Sequence, residues 1–280
     1  MNRPQAAVII AHLLKPIIMF GTMFLGYRAK THMLSRLIES LDPTISVDTK
    51  HGAIIFYCPA KQAFTRTGMK GKHIFNWIDT FEDDEELWDI GANVGIFSLY
   101  SARRGLKAVA FEPSPSNFYL LTKNVELNRF DDNICSLNVA LHNQTEINHL
   151  HMAGTVVGSA QHNFASMTAS DQGVDNPTGQ SIYRQSIIGY GIDDFVETFA
   201  VDIPSHIKID VDGNESLILE GGDKTLSDPK LKSMYIETRS DTYSDVVKKM
   251  KGLGMQQDQV ESPNKTSGDI LFRRFDANNL

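Results

Sequence analysis

The chain has 280 residues, 41% of them hydrophobic and 22% charged, which is ordinary for a globular protein with its own core. A formal net charge of −7, without any run of Lys or Arg, argues against nucleic acid as a partner because phosphate binding needs a basic surface. The two cysteines, Cys58 and Cys135, lie far apart, which excludes a disulfide framework and a cysteine-based zinc motif.

The N-terminus has the most unusual composition of the chain. Residues 6–27 are mostly apolar and are followed by Arg28 and Lys30. The run approaches the ~20 residues that cross a bilayer, but Lys15 near its centre opposes a span. Two short helices in the membrane interface, or a buried or partner-binding helix, fit the same composition. We predict a separate apolar segment over residues 1–40, with membrane contact through its apolar run left open, in a protein that is cytoplasmic or at the membrane surface.

Residues 41–86 are predicted to form a cap that packs on the main domain and helps to frame a substrate. The apolar run at 51–57 predicts a short strand. The acidic cluster at 81–86 is interpreted as a solvated turn or helix start before the next strand.

The remaining residues, 87–280, are predicted to form one α/β domain. Leu87–Ile90 is a short apolar run, Gly91–Gly95 a tight glycine loop, and residues 96–102 have helical spacing. Glycines let the backbone turn sharply and approach a ligand, and the helix N-terminus behind the loop favours an anion.

The spacing of the glycines limits which class of ligand the loop can bind. A dinucleotide loop has the pattern G-x-G-x-x-G, but here Asn93 stands where the second glycine would make room for a pyrophosphate. S-adenosylmethionine (SAM) has no pyrophosphate. We predict that loop N–H groups bind its carboxylate and that Asp89 accepts a hydrogen bond from its amino group, directly or through water.

The next two predicted strands extend this site. Residues 108–111 form an apolar run closed by Glu112, 21 residues after Gly91, and a carboxylate there can accept hydrogen bonds from both ribose hydroxyls. Residues 134–141 predict a third strand, and an adenine edge is expected near its end, at 138–141.

Charged residues follow two later strands. The run 205–215 reads SHIKIDVDGNE and predicts a strand whose carboxyl end faces the ligand crevice of an open α/β sheet. A further strand at 234–237 ends on Glu237. Because buried charges are costly unless paired, this density indicates either an internal ion-pair network or a working site.

Four histidines lie after the third strand. His142, His149, His151 and His162 match no metal-ligand spacing and are interpreted as exposed loop residues. The polar stretch 152–180 predicts a long loop, either a lid over the acceptor or plain surface.

The motifs DIGANVGIFSLYSA, FEPSPSNFYLLTKNVELN, IKIDVDGNE and YIET, in this order, resemble the FkbM family of SAM-dependent methyltransferases. In this chain Asp212 replaces the glutamate of the usual family motif K-I-D-V-E-G-x-E. The resemblance implies a Rossmann-like class I methyltransferase fold, with a mostly parallel seven-stranded sheet, helices on both faces and, here, an N-terminal helical extension. It also implies O-methylation of a sugar, a glycan or a small metabolite.

The expected site follows from these motifs. The residues expected to bind SAM are Asp89, Gly91, Ala92, Asn93, Gly95, Glu112, Pro113, Asn138 and Ala140. Catalytic candidates are Lys208, Asp210, Asp212, Glu215 and Glu237, since the attacking hydroxyl must lose a proton to a base. His73 is a further candidate base, and a carboxylate-bound divalent cation is a less favoured hypothesis. A nicotinamide-dependent oxidoreductase and a non-catalytic membrane-associated scaffold are the competing hypotheses.

Overall fold

The structure is a computed structural model. It describes residues 3–69, 71–152, 154–160, 162–165, 183–211, 213–264 and 267–274. The chain divides into two compact units, Met1–Pro43 and Thr44–Leu280.

The first unit consists of two helices, α1 (Arg3–Gly21) and α2 (Tyr27–Leu41). Pro16 lies inside α1, and large apolar side chains between residues 9 and 27 are exposed, with Phe24 at 84%. No helix in the described part of the chain combines the length and the apolar character that a bilayer crossing requires.

The second unit begins with the region predicted as a cap. A hairpin of β1 (Thr44–Thr49) and β2 (Gly52–Tyr57) is followed by two short helices, α3 (Lys61–Arg66) and α4 (Lys72–Ile78). Apolar side chains of β2 and α4 share one hydrophobic cluster with the sheet described next. The cap is therefore packed on the main domain through a common core.

Within the described residues, seven strands form the central sheet in the order β12-β13-β11-β10-β3-β4-β5. The strands are β3 (Glu86–Ile90), β4 (Lys107–Phe111), β5 (Ile134–Leu137), β10 (His206–Ile209), β11 (Ser233–Thr238), β12 (Met255–Asn264) and β13 (Ser267–Arg274). The pairs from β11 to β5 are parallel, and β13 is antiparallel to both of its neighbours. This is the mostly parallel sheet that the sequence predicts.

Helices lie against both faces of this sheet. They are α5 (Ile96–Arg103), α6 (Pro115–Asn128), α7 (Ile192–Phe199), α8 (Glu215–Glu220), α9 (Asp223–Ser227) and α10 (Tyr243–Gly252). Because successive side chains of a strand point to opposite faces, the sheet has a hydrophobic core on each side. Leu87 belongs to the cluster shared with the cap, and Trp88 belongs to the cluster on the opposite face. Sheet and helices together form the Rossmann-like fold.

A second sheet follows β5, and one predicted strand is split to form it. The sequence predicts one strand over 134–141, but the chain leaves the central sheet after Leu137 and enters the second sheet at Ala140. Its strands are β6 (Ala140–His142), β7 (Glu146–Met152), β8 (His162–Phe164) and β9 (Tyr183–Gly191), in the order β6-β9-β7-β8. The apolar run alone does not show this exchange, because both pieces are strands and the run is continuous in the sequence.

The same sheet corrects the interpretation of the four histidines. All of them lie in strands rather than in exposed loops, and His142 is only 5% exposed. The stretch 152–180 contains β8, while its residues 166–180 lie outside the described part.

Candidate active site

The strand order reverses between β3 and β10, and the carboxyl ends of these strands meet at Gly91 and Asp210. The Asp210 N–H donates to Ile90 O at 3.1 Å. Gly91 has φ +79°, and a Cβ at this position would overlap the carbonyl oxygen of Asp210. A glycine is therefore needed, and the crevice at the reversal is where open α/β sheets bind ligands.

The amides of the glycine loop are mostly engaged within the protein. Gly91 N and Ala92 N both donate to Phe111 O at 3.0 Å, and Gly95 N donates to Ala92 O at 2.8 Å. Asn93 N donates to the Glu112 carboxylate. These four amides therefore shape the loop itself, and the binding of a carboxylate by loop N–H groups stays a prediction.

Glu112 is tied to the glycine loop. Its side chain is 4% exposed; Oε2 accepts from Asn93 N at 2.7 Å and Oε1 accepts from Ser114 N at 2.9 Å. Burial raises the pKa of Glu112 to about 7, despite these hydrogen bonds. Asn93 adopts φ +52°, a conformation that asparagine tolerates better than most residues, and this orients its N–H toward Glu112.

Two adjoining cavities occupy the crevice. The first has a volume of about 240 Å³ and extends to Glu112, Pro113 and Asn117. The second has a volume of about 250 Å³ and extends to Phe97, Lys208 and Asp269. The two cavities share five lining residues, which we call the junction: Arg66, Gly91, Asn93, Asp210 and Glu237.

Lys208 is the centre of a buried ion-pair network. Such a network is one of the two explanations that the sequence offers for the charged residues after β10. Lys208 is 2% exposed, and its Nζ lies 3.1 Å from Asp89 Oδ1 and 3.5 Å from Asp210 Oδ2. It also donates to Gly91 O at 3.3 Å. Although burial disfavours the ammonium, the surrounding carboxylates raise the Lys208 pKa above its ordinary value. Lys208 therefore links the glycine loop to Asp210, a candidate base.

Asp89 is placed differently from its prediction. Its side chain is fully buried, and Oδ2 accepts from Ser98 N and Ser98 Oγ at 3.2 and 2.7 Å. With Lys208 on its other oxygen, Asp89 lies below the cavities and not on their walls. The structure thus gives it a supporting position instead of direct contact with an amino group.

Asp210 and Glu237 form a carboxyl pair at the junction. The Asp210 side chain is 44% exposed and hydrogen-bonds Glu237. Burial opposes the Asp210 carboxylate, but Lys208 and the hydrogen bond from Glu237 lower its pKa overall. Two carboxyl groups that share a hydrogen bond retain one proton between them. Lys208 favours the charged form of Asp210 in this pair.

Other catalytic candidates lie elsewhere. Glu215 is 1% exposed, accepts from Gly213 N at 2.9 Å, and lines neither cavity, so its contact is with its own turn. Asp212 lies outside the described residues. His73 Nε2 lies 2.8 Å from Asp269 Oδ2, and this aspartate lines the second cavity.

The residues predicted to contact the adenine, near 138–141, lie beside the first cavity. Asn138 Nδ2 donates to the backbone oxygens of Glu112 and Pro113, at 2.8 and 3.1 Å, and so holds this turn in place. Pro113 and Ala140 line a third, small cavity of about 30 Å³ whose walls are mostly apolar.

Residues 154–160, here called the strap, belong to the stretch 152–180 that the sequence predicts as a lid or plain surface, and Ser159 and Ala160 line the first cavity. The sequence does not predict which residues the strap contacts. Ser159 O accepts from Asn93 Nδ2 at 3.2 Å and from Asn117 Nδ2 at 2.9 Å. Arg66 Nε donates to Gly158 O at 3.2 Å. Nothing local in the sequence indicates these contacts, since they join segments 42 to 92 residues apart.

Among the described residues, no group of three or more His, Cys, Asp or Glu side chains is arranged to hold a metal ion. The hypothesis of a carboxylate-bound cation gains no support from the junction carboxylates, which hydrogen-bond one another.

A parallel sheet with a glycine loop after its first strand, and an acidic residue closing the second strand, defines a Rossmann-like protein with a nucleoside-type binding crevice. The chain belongs to the FkbM methyltransferase family: the family model described as the methyltransferase FkbM domain matches residues 89–256. This confirms the resemblance seen in the motifs and disfavours the nicotinamide-dependent oxidoreductase.

Three known proteins are similar to this chain at low sequence identity. The hexuronic acid methyltransferase AglP of Haloferax volcanii is 27% identical over 145 residues, which are 51% of this chain and 52% of AglP. The chain thus matches about half the length of that relative. The crystal structure of an FkbM methyltransferase from Methylobacillus flagellatus is 19% identical with a TM-score of 0.47, covering 69% of this chain and 44% of that one. A putative tRNA (m1A22) methyltransferase from Streptococcus pneumoniae, in complex with S-adenosyl-L-methionine, is 15% identical with a TM-score of 0.42, covering 74% and 73%.

Proposed function

We propose that the protein is a SAM-dependent methyltransferase that methylates a hydroxyl of a sugar, a glycan or a small metabolite. One observation carries the proposal: the Glu112 carboxylate is fixed to the glycine loop at 2.7 Å, in a cavity that continues to the Asp210–Glu237 pair. A site for a ribose and a site for proton transfer thus adjoin each other in a family of methyltransferases.

The residues of the first cavity fit the donor. The Glu112 oxygens each accept one backbone N–H, which leaves lone pairs for the ribose hydroxyls. Asn93 Oδ1 is buried without a hydrogen-bond partner among the described residues, and a donor N–H or O–H would satisfy it. The small apolar cavity beside Pro113 and Ala140 suits one edge of an adenine.

When bound, SAM supplies an activated methyl group for in-line attack by a hydroxyl oxygen. The protein aligns the acceptor at the junction, which contributes through proximity. Asp210, held ionised by Lys208, accepts the proton of the acceptor hydroxyl, while Glu237 keeps its own proton and fixes the orientation of Asp210.

The acceptor class rests on the family and on one relative. AglP is named as a hexuronic acid methyltransferase, which supports a carbohydrate acceptor for this chain. Carboxyl groups at the junction suit hydroxyl donors of a sugar. A screen of labelled SAM against glycans and small hydroxylated metabolites would identify the acceptor, and the absence of any labelled product would count against methyl transfer.

Contact between the N-terminal unit and a membrane surface stays a proposal. Exposed apolar side chains of α1, Lys15 within it, and Arg28 and Lys30 at the start of α2 support it, because apolar side chains flanked by cations favour an anionic lipid interface.

Replacement of Glu112 by Ala is expected to weaken SAM binding about tenfold or more, because two hydrogen bonds from the ribose to a carboxylate are lost. Isothermal titration calorimetry with SAM measures the effect. Glu126→Ala, which removes an exposed carboxylate of α6, is the matched control and is expected to bind as the wild type does. Unchanged affinity in the Glu112 variant would place the ribose contact elsewhere, and binding of NAD in place of SAM by the wild type would overturn the proposal.

SAM affinity is also expected to depend on pH. Because the pKa of Glu112 is raised to about 7 by burial, the carboxylate becomes protonated as the pH falls below neutrality and loses an acceptor for the ribose. If only the ionised form binds, affinity at about pH 6 should be roughly tenfold lower than at about pH 8. Titrations at both pH values test this. A Glu112→Gln variant should show weak binding with a flatter pH dependence, whereas an equally steep profile would assign the titration to another group.

A further inference from the structure

The amino-acid end of SAM carries a carboxylate and an ammonium group, and the structure changes which residues can bind them. This inference rests on the proposed function. The two partners that the sequence predicts are engaged: the loop amides from Gly91 to Asn93, with that of Gly95, bond within the protein, and Asp89 is buried against Ser98 and Lys208. The carboxylate therefore needs a partner other than these four amides and Asp89.

The position of the nucleoside limits where this partner can lie. With the ribose at Glu112, the amino-acid arm has to cross the glycine loop toward the junction, since both cavities are lined by Gly91 and Asn93. The described cationic side chains that line either cavity are Arg66 and Lys208. Lys208 is 2% exposed, and Asp89, Asp210 and Gly91 O already surround its ammonium, which has three N–H donors.

Arg66 differs from Lys208 in being available. It lies at the end of α3 in the cap, its side chain is exposed, and it lines both cavities. Its Nε donates to Gly158 O of the strap at 3.2 Å, which anchors one edge of the guanidinium. The planar group has five N–H donors, so this anchor leaves its terminal N–H groups for a carboxylate.

We propose that Arg66 binds the carboxylate of the SAM amino-acid arm, so that the cap recognises the donor. The other end of the arm also finds a suitable group at the junction: Asn93 Oδ1, buried without a hydrogen-bond partner among the described residues, is an acceptor for the ammonium. A charge-assisted guanidinium–carboxylate pair fixes the arm in one orientation.

A comparison of SAM with decarboxylated SAM tests the contact between Arg66 and the carboxylate. Both carry the nucleoside, the sulfonium and the ammonium, and they differ in the carboxylate alone. Calorimetry on the full chain should show that the wild type binds SAM about tenfold or more tightly than decarboxylated SAM. Arg66→Gln should abolish most of this preference by weakening SAM binding, with decarboxylated SAM bound within about twofold of the wild type. Arg66→Lys should retain part of the preference, because it keeps the charge but loses the planar fork.

Lys61→Gln is the matched control, since it removes an exposed cation from the same helix without touching either cavity. It is expected to keep the wild-type preference. Thermal unfolding of each variant confirms that the chain is folded. If the wild type binds neither compound, the proposed methyltransferase function fails. If the wild type discriminates and Arg66→Gln discriminates equally well, the function stands and the role of Arg66 is refuted. An unchanged SAM affinity in Arg66→Gln with a raised KM for the acceptor would likewise refute it and assign Arg66 to an anionic acceptor.

Discussion

Replacement of Lys208 by Met is expected to lower the free energy of unfolding by about 3–5 kcal/mol, the usual cost of removing one partner from a buried ion pair. Lys208 is 2% exposed and Asp89 is fully buried, with 3.1 Å between Nζ and Oδ1. Methionine fills a similar volume, so the loss reflects the uncompensated charge of Asp89 more than a cavity. Equilibrium unfolding in urea, followed by intrinsic fluorescence, measures the change.

Two comparisons isolate the charge effect. Adding Asp89→Asn to the Lys208 variant should recover part of the lost stability, because the second change removes the unpaired carboxylate. Lys123→Met breaks a pair with the exposed Glu126 and is expected to cost less than about 1 kcal/mol. Equal losses in the Lys208 and Lys123 variants would show that the buried pair contributes no more than a surface pair.

The sequence predicts the edge of the sheet well where a strand, a glycine and a helix follow one another. The apolar runs at 87–90 and 108–111 agree within one residue with β3 and β4, and the carboxylate after β4 lies in the cavity as its spacing predicts. Parallel strands are buried on both faces, so their apolar runs are continuous and end sharply at polar residues. These local signals position Glu112, Asp210 and Glu237.

Long-range contacts are not predicted by local patterns. Glu85, within the acidic cluster interpreted as solvated, is 5% exposed; its carboxylate bonds His206 Nε2 at 2.7 Å and contacts Lys232. Although burial opposes ionisation, these partners lower the pKa of Glu85 to about 2. His206 follows Glu85 by 121 residues, and only the register of β10 beside β3 brings them together.

Arg66 illustrates the same limitation at the site. Its helix lies before the glycine loop in a region without a family motif, and its contact with Gly158 spans 92 residues. The composition of the loop predicts that its backbone amides bind an anion. In the structure, these amides donate to Phe111 O and to Glu112. A residue pattern identifies which groups are present, whereas their remaining hydrogen-bonding capacity depends on the fold.

Replacement of Asp210 by Asn is expected to lower kcat by about 10²–10⁴-fold, the usual contribution of a positioned general base. Asn keeps the shape of the side chain and leaves the Lys208–Asp89 pair in place, but its amide cannot accept the proton of the acceptor hydroxyl. SAM affinity should change by less than about threefold, since the ribose is held by Glu112 and the loss concerns a step after binding. Initial rates with the acceptor identified by the labelled-SAM screen, together with calorimetry, measure both quantities.

Glu237→Gln is the decisive comparison for this pair. In the proposed mechanism Glu237 holds the shared proton, so its carboxyl donates a hydrogen bond to Asp210, and the amide of Gln reproduces that donor. The Glu237 variant should therefore keep kcat within about fivefold of the wild type, far above the Asp210 variant. If Glu237→Gln loses as much activity as Asp210→Asn, the shared proton resides on Asp210 and Glu237 is the base. If both variants retain full activity, the acceptor loses its proton to a group outside the junction.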